Sequence, residues 1–561
     1  MDRKEEFLKK VFLTDKFEIV PLRPDASTRK YWRILKGKST FILMDGNAVS
    51  NRYQKFIQIS ELLKQHDVYA PSILAHDFDE GFMLIEDLGD GTFTRLLELS
   101  GNEKELYAMA TEVLTKVISI KKKPDYIDVF SDDVVVRDIC YFVDWYYPMV
   151  MGKPLDEKKR EEFIAIVKKL LPLGRGVPNS LVLWDYHVDN IMMLDNKTCA
   201  VIDFQDAYWG PITYDIMSLL EDRRGASEEV QNEMKDLFFK SLKDVKRIDF
   251  ENSYRFFSMF RNMRVLGRFS ILLTRGKGEY MKYIPNLWKM LDRTLSCPNF
   301  VEMKKWVDKN LPKKYRVAPT QKPINKAMIL AAGRGSRMKH LTNDVPKPLI
   351  EVNGRAMIDY KFDLLKDVGI KDVVVNVCYH GDKIIEHIKR HERDFNVAIS
   401  EEEVALETGG GIKNALHLLG ENPFFSLNSD ELWNDTSYKP VMWQMIDKWN
   451  DDEYDMILLI TPMSSTNEHG RDHGDYKINK KDRIERNVQK KPGGGYDYFY
   501  TGIALMSPKI FEGETEEKFS MVKMFDKAEE KGRLGYVIIH DEIFHVGTPE
   551  DKKIAEMKFK G

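Results

Sequence analysis

The sequence has few cysteines, no long apolar run and almost no excess of charge of either sign. Its 561 residues include four cysteines, at positions 140, 199, 297 and 378, and these lack the close spacing of a metal-binding set. Scattered thiols of this kind indicate a reducing compartment and ordinary buried side chains. The formal net charge of −3 argues against a basic nucleic-acid-binding stripe and against a polybasic membrane patch.

Segments that would direct the chain to a membrane are also missing. The first ten residues, MDRKEEFLKK, carry charges where a signal peptide needs an apolar run. No stretch approaches the roughly 18–20 apolar residues of a membrane-spanning helix. We therefore expect a cytoplasmic protein without membrane or nucleic-acid partners, and the sequence leaves its oligomeric state open. At one domain per roughly 100–200 residues, its length predicts about three structural units.

The most informative stretch runs from Leu181 to Asp206, where apolar runs alternate with tight turns. Asp185 follows the first run, Asn190 comes five residues later, and Asp203 ends the last run. Phosphoryl transfer from ATP needs one carboxylate for the acceptor's hydroxyl proton. It also needs a second carboxylate and an amide oxygen for Mg²⁺. These residues predict a catalytic base, Asp185, and a metal pair, Asn190 and Asp203; the alternative is that each merely serves a turn.

This stretch resembles the catalytic and metal loops of the aminoglycoside phosphotransferase and choline kinase superfamily. Its continuation, IDFQDAYWGPITYD from Ile202 to Asp215, is similar to the anomeric sugar kinases that phosphorylate N-acetylmuramate and N-acetylglucosamine. The resemblance implies an α+β bilobal kinase-like domain. One residue departs from the superfamily: Leu183 stands where a histidine usually braces the loop.

The segment before the catalytic stretch predicts the small lobe of such a kinase. Residues 18–44 read as strands around a turn, and this turn resembles the hairpin that covers ATP in the anomeric kinases. Ser27 and Arg29 in the turn are candidate ATP-binding residues, although a solvated turn is the alternative. Because residues 41–44 include no lysine, Arg29 or Lys30 would supply the cation for the phosphates.

The junction of the two lobes is predicted at Glu86, where an apolar strand ends. Adenine recognition needs a backbone N–H and C=O in an extended segment, which Glu86 and the next residues offer; a plain strand end is the alternative. Further on, CYFVDWYYPM at residues 140–149 has a helical pattern dense in aromatic side chains. Such clusters usually fill a core, and the alternative is contact with a sugar ring or a choline ammonium group.

The kinase half ends in helices and is followed by a linker. Ser227 is a candidate N-cap of a helix, and the helical pattern continues to about Trp306. The expected apolar face of the capped helix consists of Val230, Met234, Leu237, Phe238 and Val245. Residues 313–326, KKYRVAPTQKPINK, are basic, contain two prolines and lack apolar periodicity. We predict a kinase domain at residues 1–312, a linker at 313–325 and a second domain at 326–561.

The second domain opens with AMILAAGRGSRM, an apolar strand that runs into a glycine-containing loop. Small residues such as Gly333 let backbone amides approach a triphosphate closely, and Arg337 can neutralise the part that leaves. Lys347 lies between two prolines a few residues further on. The third glycine of a Rossmann dinucleotide fingerprint is missing, so the loop predicts triphosphate binding rather than NAD binding.

These residues resemble the sugar 1-phosphate nucleotidyltransferases, over essentially all of residues 326–560, and most closely N-acetylmuramate 1-phosphate uridylyltransferase. The matching later segments are LETGGG at 406–411, LNSD at 427–430, GD at 474–475, YTGI at 500–503 and VGTP at 546–549. The resemblance implies an α/β Rossmann-like domain with a mainly parallel sheet. Helical and strand-like segments alternate, as at Phe362 to Val368, a predicted helix that Gly369 stops, and Val373 to Val377, a predicted strand. This alternation agrees with such a sheet.

The resemblance also implies roles for individual residues. Lys347 would hold the α-phosphate, Arg337 the departing pyrophosphate and Asp430 the magnesium ion. His545 stands where many relatives supply a second carboxylate, so it either binds the metal or positions substrate. The residues expected to contact nucleotide or sugar are Leu330, Ala331, Ala332, Gly333, Glu407, Thr408, Gly409, Lys491, Thr501 and Gly502.

A kinase followed by a nucleotidyltransferase predicts a bifunctional enzyme of cell-wall sugar recycling. N-acetylmuramate or N-acetylglucosamine would be phosphorylated at its anomeric oxygen with ATP, and UTP would convert the product to a UDP-sugar, with Mg²⁺ at both sites. The runner-up is a choline kinase joined to a phosphocholine cytidylyltransferase. A third hypothesis is a pseudokinase that regulates its neighbour; Leu183 favours it, and the intact Asp185, Asn190 and Asp203 oppose it.

Overall fold

A computed structural model describes residues 3–22, 30–46, 52–100, 102–195, 197–275, 277–316, 324–391, 394–467, 473–489 and 495–560. The chain divides into two compact units. The first consists of residues 1–147, 154–268 and 283–316, and the second of residues 148–153, 269–282 and 317–561. This division into two units does not test the predicted domain limits of 1–312, 313–325 and 326–561, which stay predictions. Residues 317–323 of the predicted linker lie outside the described residues.

The first unit contains ten of the described strands. They are β1 Glu18–Pro21, β2 Lys30–Lys36, β3 Ser39–Asp45, β4 Ile73–Asp77, β5 Phe82–Glu86, β6 Asp128–Val129, β7 Asn179–Val182, β8 Ile191–Asp195, β9 Thr198–Val201 and β10 Tyr208–Pro211. The helices of the same half of the chain are α1 Arg3–Phe12, α2 Arg52–Gln65, α3 Phe93–Ser100, α4 Glu103–Val117, α5 Asp132–Ile139, α6 Tyr147–Met151, α7 Glu157–Gly174, α8 Thr213–Leu220, α9 Glu228–Lys240, α10 Arg247–Leu273, α11 Ile284–Leu295 and α12 Val301–Asn310.

The predicted small-lobe strands form an antiparallel sheet in the order β1-β2-β3-β5-β4. Side chains of a strand alternate between its two faces. Ile34, Leu43 and Leu84 are fully buried on one face and pack against Phe7 and Leu8 of α1. This core holds the sheet that forms one wall of a cavity described below.

The aromatic segment at residues 140–149 is helical, as predicted, and contains a π-helical turn at Phe142–Tyr146. Phe142 and Tyr146 are at most 1 % exposed, and their rings stack with centroids 5.6 Å apart. These two side chains belong to the core, while Asp144 forms a bidentate ion pair with Arg160.

Helix α9 begins at its predicted cap, because the Ser227 hydroxyl accepts the Val230 N–H. The expected apolar face was wrong at two positions. Leu237 is 42 % exposed, and the helix ends at Lys240, before Val245. The N–H groups of Ser241 and Leu242 donate to the carbonyls of Phe238 and Phe239, which closes the last turn before the chain reaches the left-handed Asp244, with φ 57°.

The second unit is built on a mixed sheet. Its strands are β11 Lys326–Leu330, β12 Glu351–Val352, β13 Arg355–Ala356, β14 Asp372–Val377, β15 Asn396–Glu401, β16 Phe424–Asn428, β17 Glu431–Leu432, β18 Met456–Pro462, β19 Tyr476–Ile478, β20 Ile484–Arg486, β21 Tyr498–Met506, β22 Leu534–Ile538 and β23 Phe544–His545. Its helices are α13 Met357–Asp367, α14 Gly381–His391, α15 Glu407–Leu419, α16 Val441–Lys448, α17 Val522–Glu530 and α18 Pro549–Lys558.

The main path of this sheet runs β15-β14-β11-β16-β21-β18-β22. Strands β15, β14, β11 and β16 are parallel to one another, and β18 is parallel to β22. Strand β21 is antiparallel to both of its neighbours, β16 and β18. The predicted α/β domain with a mainly parallel sheet is confirmed, with β21 as the reversed strand.

Two local expectations for this sheet are also met. Helix α13 is followed by Gly369, whose φ of 76° ends it, and β14 follows within a few residues. The carboxyl ends of parallel strands meet at one edge of a sheet, which is where ligands bind in open α/β folds. Among the described helices of the whole chain, none is both long and apolar enough to cross a membrane.

Candidate active sites

The first site is organised by the β8–β9 hairpin. Ile191 pairs with Val201 in antiparallel register, so the residues just outside this pair meet at the open end of the hairpin. There the Ile202 N–H donates to the Asn190 carbonyl at 3.0 Å, and Asp203 follows directly. Local strand pairing thus brings Asn190 and Asp203 together.

The loop between β7 and this hairpin carries Asp185. Asn190 donates its side-chain N–H to the Asp185 carbonyl at 2.8 Å, and an amide held in this way offers its oxygen to a cation. Asp203 is left-handed, with φ 59°, and accepts the Gln205 amide at 2.8 Å. Two carboxylates and one amide oxygen therefore share one loop system, which is the donor set that phosphoryl transfer requires.

Asp215 of α8 braces the loop from behind. Its two carboxylate oxygens accept the backbone N–H groups of Leu183 and Trp184 at 2.6 and 3.1 Å. Burial raises the pKa of Asp215 to about 7, against the opposing effect of these two hydrogen bonds. Leu183 is itself buried, so the loop is held through its backbone where the superfamily usually has a histidine side chain.

Trp184, the residue directly before Asp185, has a strained left-handed conformation with φ 76°. Its indole stacks on Tyr214 with centroids 4.9 Å apart and planes 6° apart, and the Arg264 guanidinium lies 4.4 Å over its ring. Burial opposes the charge of Arg264, but Tyr214 and Asp185 raise its pKa. The stack therefore places a fixed positive charge beside Asp185.

The far side of the loop is anchored by arginines. Asp189 accepts Arg223 at 2.5 Å and Arg224 at 3.1 Å. His187, Asp189 and Asp222 lie close enough to one another to hold a metal ion. Two guanidinium groups already neutralise Asp189, which favours an anchoring role for this group.

A cavity of about 490 Å³ lies between the five-stranded sheet and the hairpin. Its lining joins apolar side chains to the metal pair, as adenine and phosphates require: it includes Ile42, Met44, Ile85, Glu86, Leu88, Met192, Asn190 and Asp203. The Glu86 N–H donates to the Ser72 carbonyl, so only the Glu86 carbonyl remains for adenine. The Glu86 carboxylate accepts the Ser72 N–H and the Tyr69 hydroxyl.

Arg33 is a cation of this cavity that the sequence reading missed. Its guanidinium binds Asp87 at 2.7 Å and Asp90 at 2.9 Å, and it lines the cavity with them. The predicted contacts Ser27 and Arg29 lie outside the described residues. The position of Arg33 in the middle of β2, between the apolar residues Trp32 and Ile34, was the available signal.

The second site begins at the glycine-containing turn after β11, which borders a cavity of about 340 Å³. The predicted residues that line it are Leu330, Ala331, Ala332, Gly333, Arg337, Lys347, Glu407, Thr408 and Asp430. Gly335 has φ 65°, and a Cβ atom there would lie 2.8 Å from the Cβ of Lys347. Glycine at this position lets Lys347 approach the cavity.

Lys347 forms an ion pair with Asp430, and both side chains are largely buried. Burial by itself would raise the pKa of Asp430, but Lys347 and His545 together hold it well below its usual range. Asp430 is therefore ionised at neutral pH, as a metal ligand must be.

The turn itself is supported by a buried polar chain. The Ala331 N–H donates to the Asn376 amide oxygen at 2.8 Å, and the Asn376 amide group donates to Glu402 at 2.7 Å. Glu402 in turn accepts the Leu406 N–H at 2.9 Å. Any contact of Ala331 with a base must then use its carbonyl. Neither Asn376 nor Glu402 was identified from the sequence, because the pairing of β11 with β14 brings Asn376 to Ala331 and the pairing of β14 with β15 brings Glu402 to Asn376.

The glycines at the start of α15 serve packing. The N–H groups of Gly409 and Gly410 both donate to the Phe519 carbonyl, at 2.9 and 3.0 Å. A Cβ atom on Gly409 would lie 2.4 Å from the Phe519 ring. Gly409 thus supports the turn from behind, while Glu407 and Thr408 line the cavity.

A smaller cavity of about 230 Å³ adjoins the first, and Arg337 lines both. Thr501 and His545 line the smaller one, although the Thr501 hydroxyl donates to the Leu459 carbonyl at 3.0 Å. Gly502 leaves room for Glu431, because a Cβ atom there would lie 2.6 Å from Glu431 Oε2. The predicted sugar-phosphate contact Lys491 lies outside the described residues.

Asp430, Glu431 and His545 meet where the two cavities adjoin. One ligand atom from each lies within 4.8 Å of the others. Carboxylate oxygens are the ligands that Mg²⁺ prefers, so this group fits the ion that nucleotidyl transfer uses. Glu431 was not predicted as a metal ligand from the sequence, because that role was assigned to its neighbour Asp430.

Comparison with known proteins divides the chain in the same way. Residues 18–244 match the model of the Phosphotransferase enzyme family, and residues 326–539 match that of Nucleotidyl transferase. The second half is 35 % identical over 237 residues to N-acetylmuramate alpha-1-phosphate uridylyltransferase of Caulobacter vibrioides, covering 41 % of this chain and 96 % of that protein.

The first half is 27 % identical over 329 residues to N-acetylmuramate/N-acetylglucosamine kinase of the same organism, covering 51 % of this chain and 90 % of that protein. Among solved structures, HddC from Yersinia pseudotuberculosis aligns with a TM-score of 0.35 and 24 % identity, over 42 % of this chain and all of that one.

Proposed function

Because this chain belongs to the N-acetylmuramate alpha-1-phosphate uridylyltransferase family and its first half matches the phosphotransferase enzyme family, we propose that it carries out two consecutive reactions on one sugar. The first unit transfers the γ-phosphoryl group of ATP to the anomeric oxygen of N-acetylmuramate or N-acetylglucosamine. The second unit transfers uridylyl from UTP to the resulting sugar 1-phosphate. The observation that carries the proposal is the presence of both donor sets in one chain.

In the kinase unit the role of general base belongs to Asp185. It takes the proton of the anomeric hydroxyl as that oxygen attacks the γ-phosphorus, and ADP leaves. Asp215 holds the loop through two backbone N–H groups, so the carboxylate of Asp185 is positioned before substrate arrives. Asn190 and Asp203 would hold Mg²⁺, which when bound neutralises phosphate charge.

In the nucleotidyltransferase unit a phosphate oxygen of the sugar 1-phosphate attacks the α-phosphorus of UTP, and pyrophosphate leaves. Little proton transfer is needed, so cations and position carry the reaction. Lys347 would hold the α-phosphate and Arg337 the departing pyrophosphate. Arg337 borders both cavities. This position suits a positive charge that must act while the bond between the α-phosphorus and the pyrophosphate breaks.

Asp430 is the carboxylate best prepared to hold the second Mg²⁺, because Lys347 and His545 keep it ionised. Lys347 is paired with Asp430 in the described structure. Binding of the metal and of a triphosphate would separate this pair and give each partner a new ligand of opposite charge.

One mixture tests the proposal. The full chain with N-acetylmuramate, ATP, UTP and Mg²⁺ should release UDP-N-acetylmuramate without an added enzyme, as read by mass spectrometry. UTP should be strongly preferred over CTP, ATP and GTP, because a pocket that hydrogen-bonds one base leaves buried groups unpaired with another. A CDP product from choline and CTP, with none from the sugar, would instead establish the choline alternative.

A further inference from the structure

Glu431 of the second site combines burial with an incompletely hydrogen-bonded carboxyl group. Its side chain is buried, with the residue 6 % exposed, yet Oε2 has no hydrogen-bond partner among the described residues. A buried carboxylate oxygen without a partner is unfavourable by several kcal/mol unless a cation compensates it. His545 Nδ1 reaches only the other oxygen, Oε1, at 3.4 Å.

The backbone explains why two consecutive carboxylates can serve one ion from two sides. Glu431 pairs with His545 in the β17–β23 ladder, and the Asp430 carbonyl accepts the Val546 N–H at 2.8 Å. Successive side chains of an extended segment point in opposite directions. Asp430 accordingly lines the larger cavity and Glu431 the smaller one.

The described residues supply cations near this pair, but none of them donates a hydrogen bond to Glu431 Oε2. Lys347 pairs with Asp430, and the buried Lys361 donates to the backbone carbonyl of Glu431. Neither ammonium group donates to Oε2. Mg²⁺ binds oxygen at about 2.1 Å, so donors on opposite sides of the ion lie about 4.2 Å apart. The donor atoms of this group, all within 4.8 Å, need only a small contraction.

We propose that Glu431 is a metal-ligating carboxylate that shares with Asp430 a divalent cation at the junction of the two cavities. His545 positions Glu431 through the hydrogen bond to Oε1 and is not the primary ligand. The smaller cavity, which Arg337 and His545 also line, would then receive the phosphate of the acceptor. This use of the smaller cavity rests on the proposed function, whereas metal binding itself does not.

Metal binding can be measured without turnover. The full chain carrying Asp203→Asn, which removes the kinase metal carboxylate, is titrated with Mn²⁺, and the free ion is read by electron paramagnetic resonance. We expect one bound Mn²⁺ per chain. After Glu431→Gln or Asp430→Asn, the affinity for Mn²⁺ should fall by roughly tenfold or more. Glu431→Asp, which keeps the charge on a shorter side chain, should bind with intermediate affinity.

The role of His545 has its own comparison. His545→Ala should weaken Mn²⁺ binding less than Glu431→Gln, and His545→Gln, which can still donate to Glu431 Oε1, should restore most of the loss. The matched control is Asp455→Asn, because Asp455 is a largely buried carboxylate paired with Arg533 at the opposite end of β18. It should bind Mn²⁺ like the parent chain.

Unchanged Mn²⁺ binding in a folded Glu431→Gln chain, as judged by its thermal midpoint, would overturn the assignment. A loss in His545→Gln equal to that in Glu431→Gln would overturn the positioning role. Failure of the chain to make a UDP-sugar, with Mn²⁺ binding still lost in Glu431→Gln, would refute the proposed function and leave the metal assignment standing.

Discussion

The two active sites collect their charged residues from the chain in different ways. Asp185, Asn190 and Asp203 come from one stretch of the first unit, and a local hairpin brings the last two together. In the second unit Lys347, Asp430 and His545 come from separate strands and loops of a large sheet. A site built from local pairing can be recognised from spacing alone, whereas a site built from distant strand ends can be recognised only by resemblance.

The comparison extends to electrostatics. At the second site the main cation and the main carboxylate, Lys347 and Asp430, are buried against each other. At the first site the cation Arg33 is shared between Asp87 and the exposed Asp90. Removal of one partner should therefore do much more damage at the second site than at the first.

The sharpest separation of the two sites is functional. Asp185→Asn keeps the size of the side chain but removes the base, so we expect sugar phosphorylation to fall by roughly a thousandfold or more, about 4 kcal/mol in barrier. Nucleotidyl transfer from supplied sugar 1-phosphate should be unchanged. The reciprocal control, Asp430→Ala, should abolish UDP-sugar formation and spare the kinase. Near-normal kinase turnover in Asp185→Asn would show that another group is the base.

The buried pair of the second site should be costly to break. Lys347→Met leaves Asp430 buried without its main partner, and we expect the second unit to lose about 3 kcal/mol of unfolding free energy. The double variant Lys347→Met/Asp430→Leu should recover most of that loss, because both charges are gone. Denaturant unfolding of the four chains of this cycle measures the coupling, and additive losses would mean that the pair does not interact.

In the first unit, the buried carboxyl group of Asp215 should make the unfolding free energy depend on pH. The folded pKa of Asp215 is about 7, above the unfolded value near 4, so the folded state holds a proton that the unfolded state releases. The contribution of Asp215 to stability is therefore fully present below pH 4 and is lost as pH rises through 7, falling by about 2 kcal/mol between pH 5 and 7. The unfolding transition of the first unit is recognised as the one that added ATP shifts. The pH dependence of its unfolding free energy, compared between wild type and Asp215→Asn, isolates the contribution of Asp215, and parallel pH profiles of the two chains would contradict this prediction.

The smallest effect is expected at Asp90. Its side chain is 62 % exposed, and its partner Arg33 keeps a second partner in Asp87, so solvent screens what is lost. Asp90→Asn should change the stability of the first unit by less than about 1 kcal/mol. A loss as large as that of Lys347→Met would remove the contrast between the two sites.

Much of this organisation could be predicted from the sequence, and the failures have a common physical cause. Spacing indicated Asp185, Asn190 and Asp203 as candidates, which the β8–β9 hairpin and its preceding loop bring together, and alternation of helix and strand indicated the parallel sheet. The direction of β21 leaves no mark on its apolar pattern, so its reversal could not be foreseen. Asn376 and Glu431 acquire their partners through pairing of strands distant in sequence, which no local pattern encodes.

Helix α9 shows a smaller failure of the same kind. Its cap at Ser227 is a local feature and was predicted correctly. Its end at Lys240 coincides with a change to i→i−3 hydrogen bonding by the N–H groups of Ser241 and Leu242, which the apolar spacing of Leu237 and Val245 does not reveal. Backbone conformations that depend on tertiary structure cannot be predicted from local sequence patterns.

The pairing of β17 with β23 has a consequence for the order in which the protein is made. Glu431 meets His545 across 114 residues, since 545 − 431 = 114, whereas the catalytic stretch of the kinase spans 26 residues from Leu181 to Asp206. At synthesis rates of roughly 5–20 residues per second, about 6–23 s pass between the emergence of these two residues. During that interval a growing chain already carries the whole kinase loop but lacks the histidine that positions Glu431, so an interrupted chain would lose the second activity first.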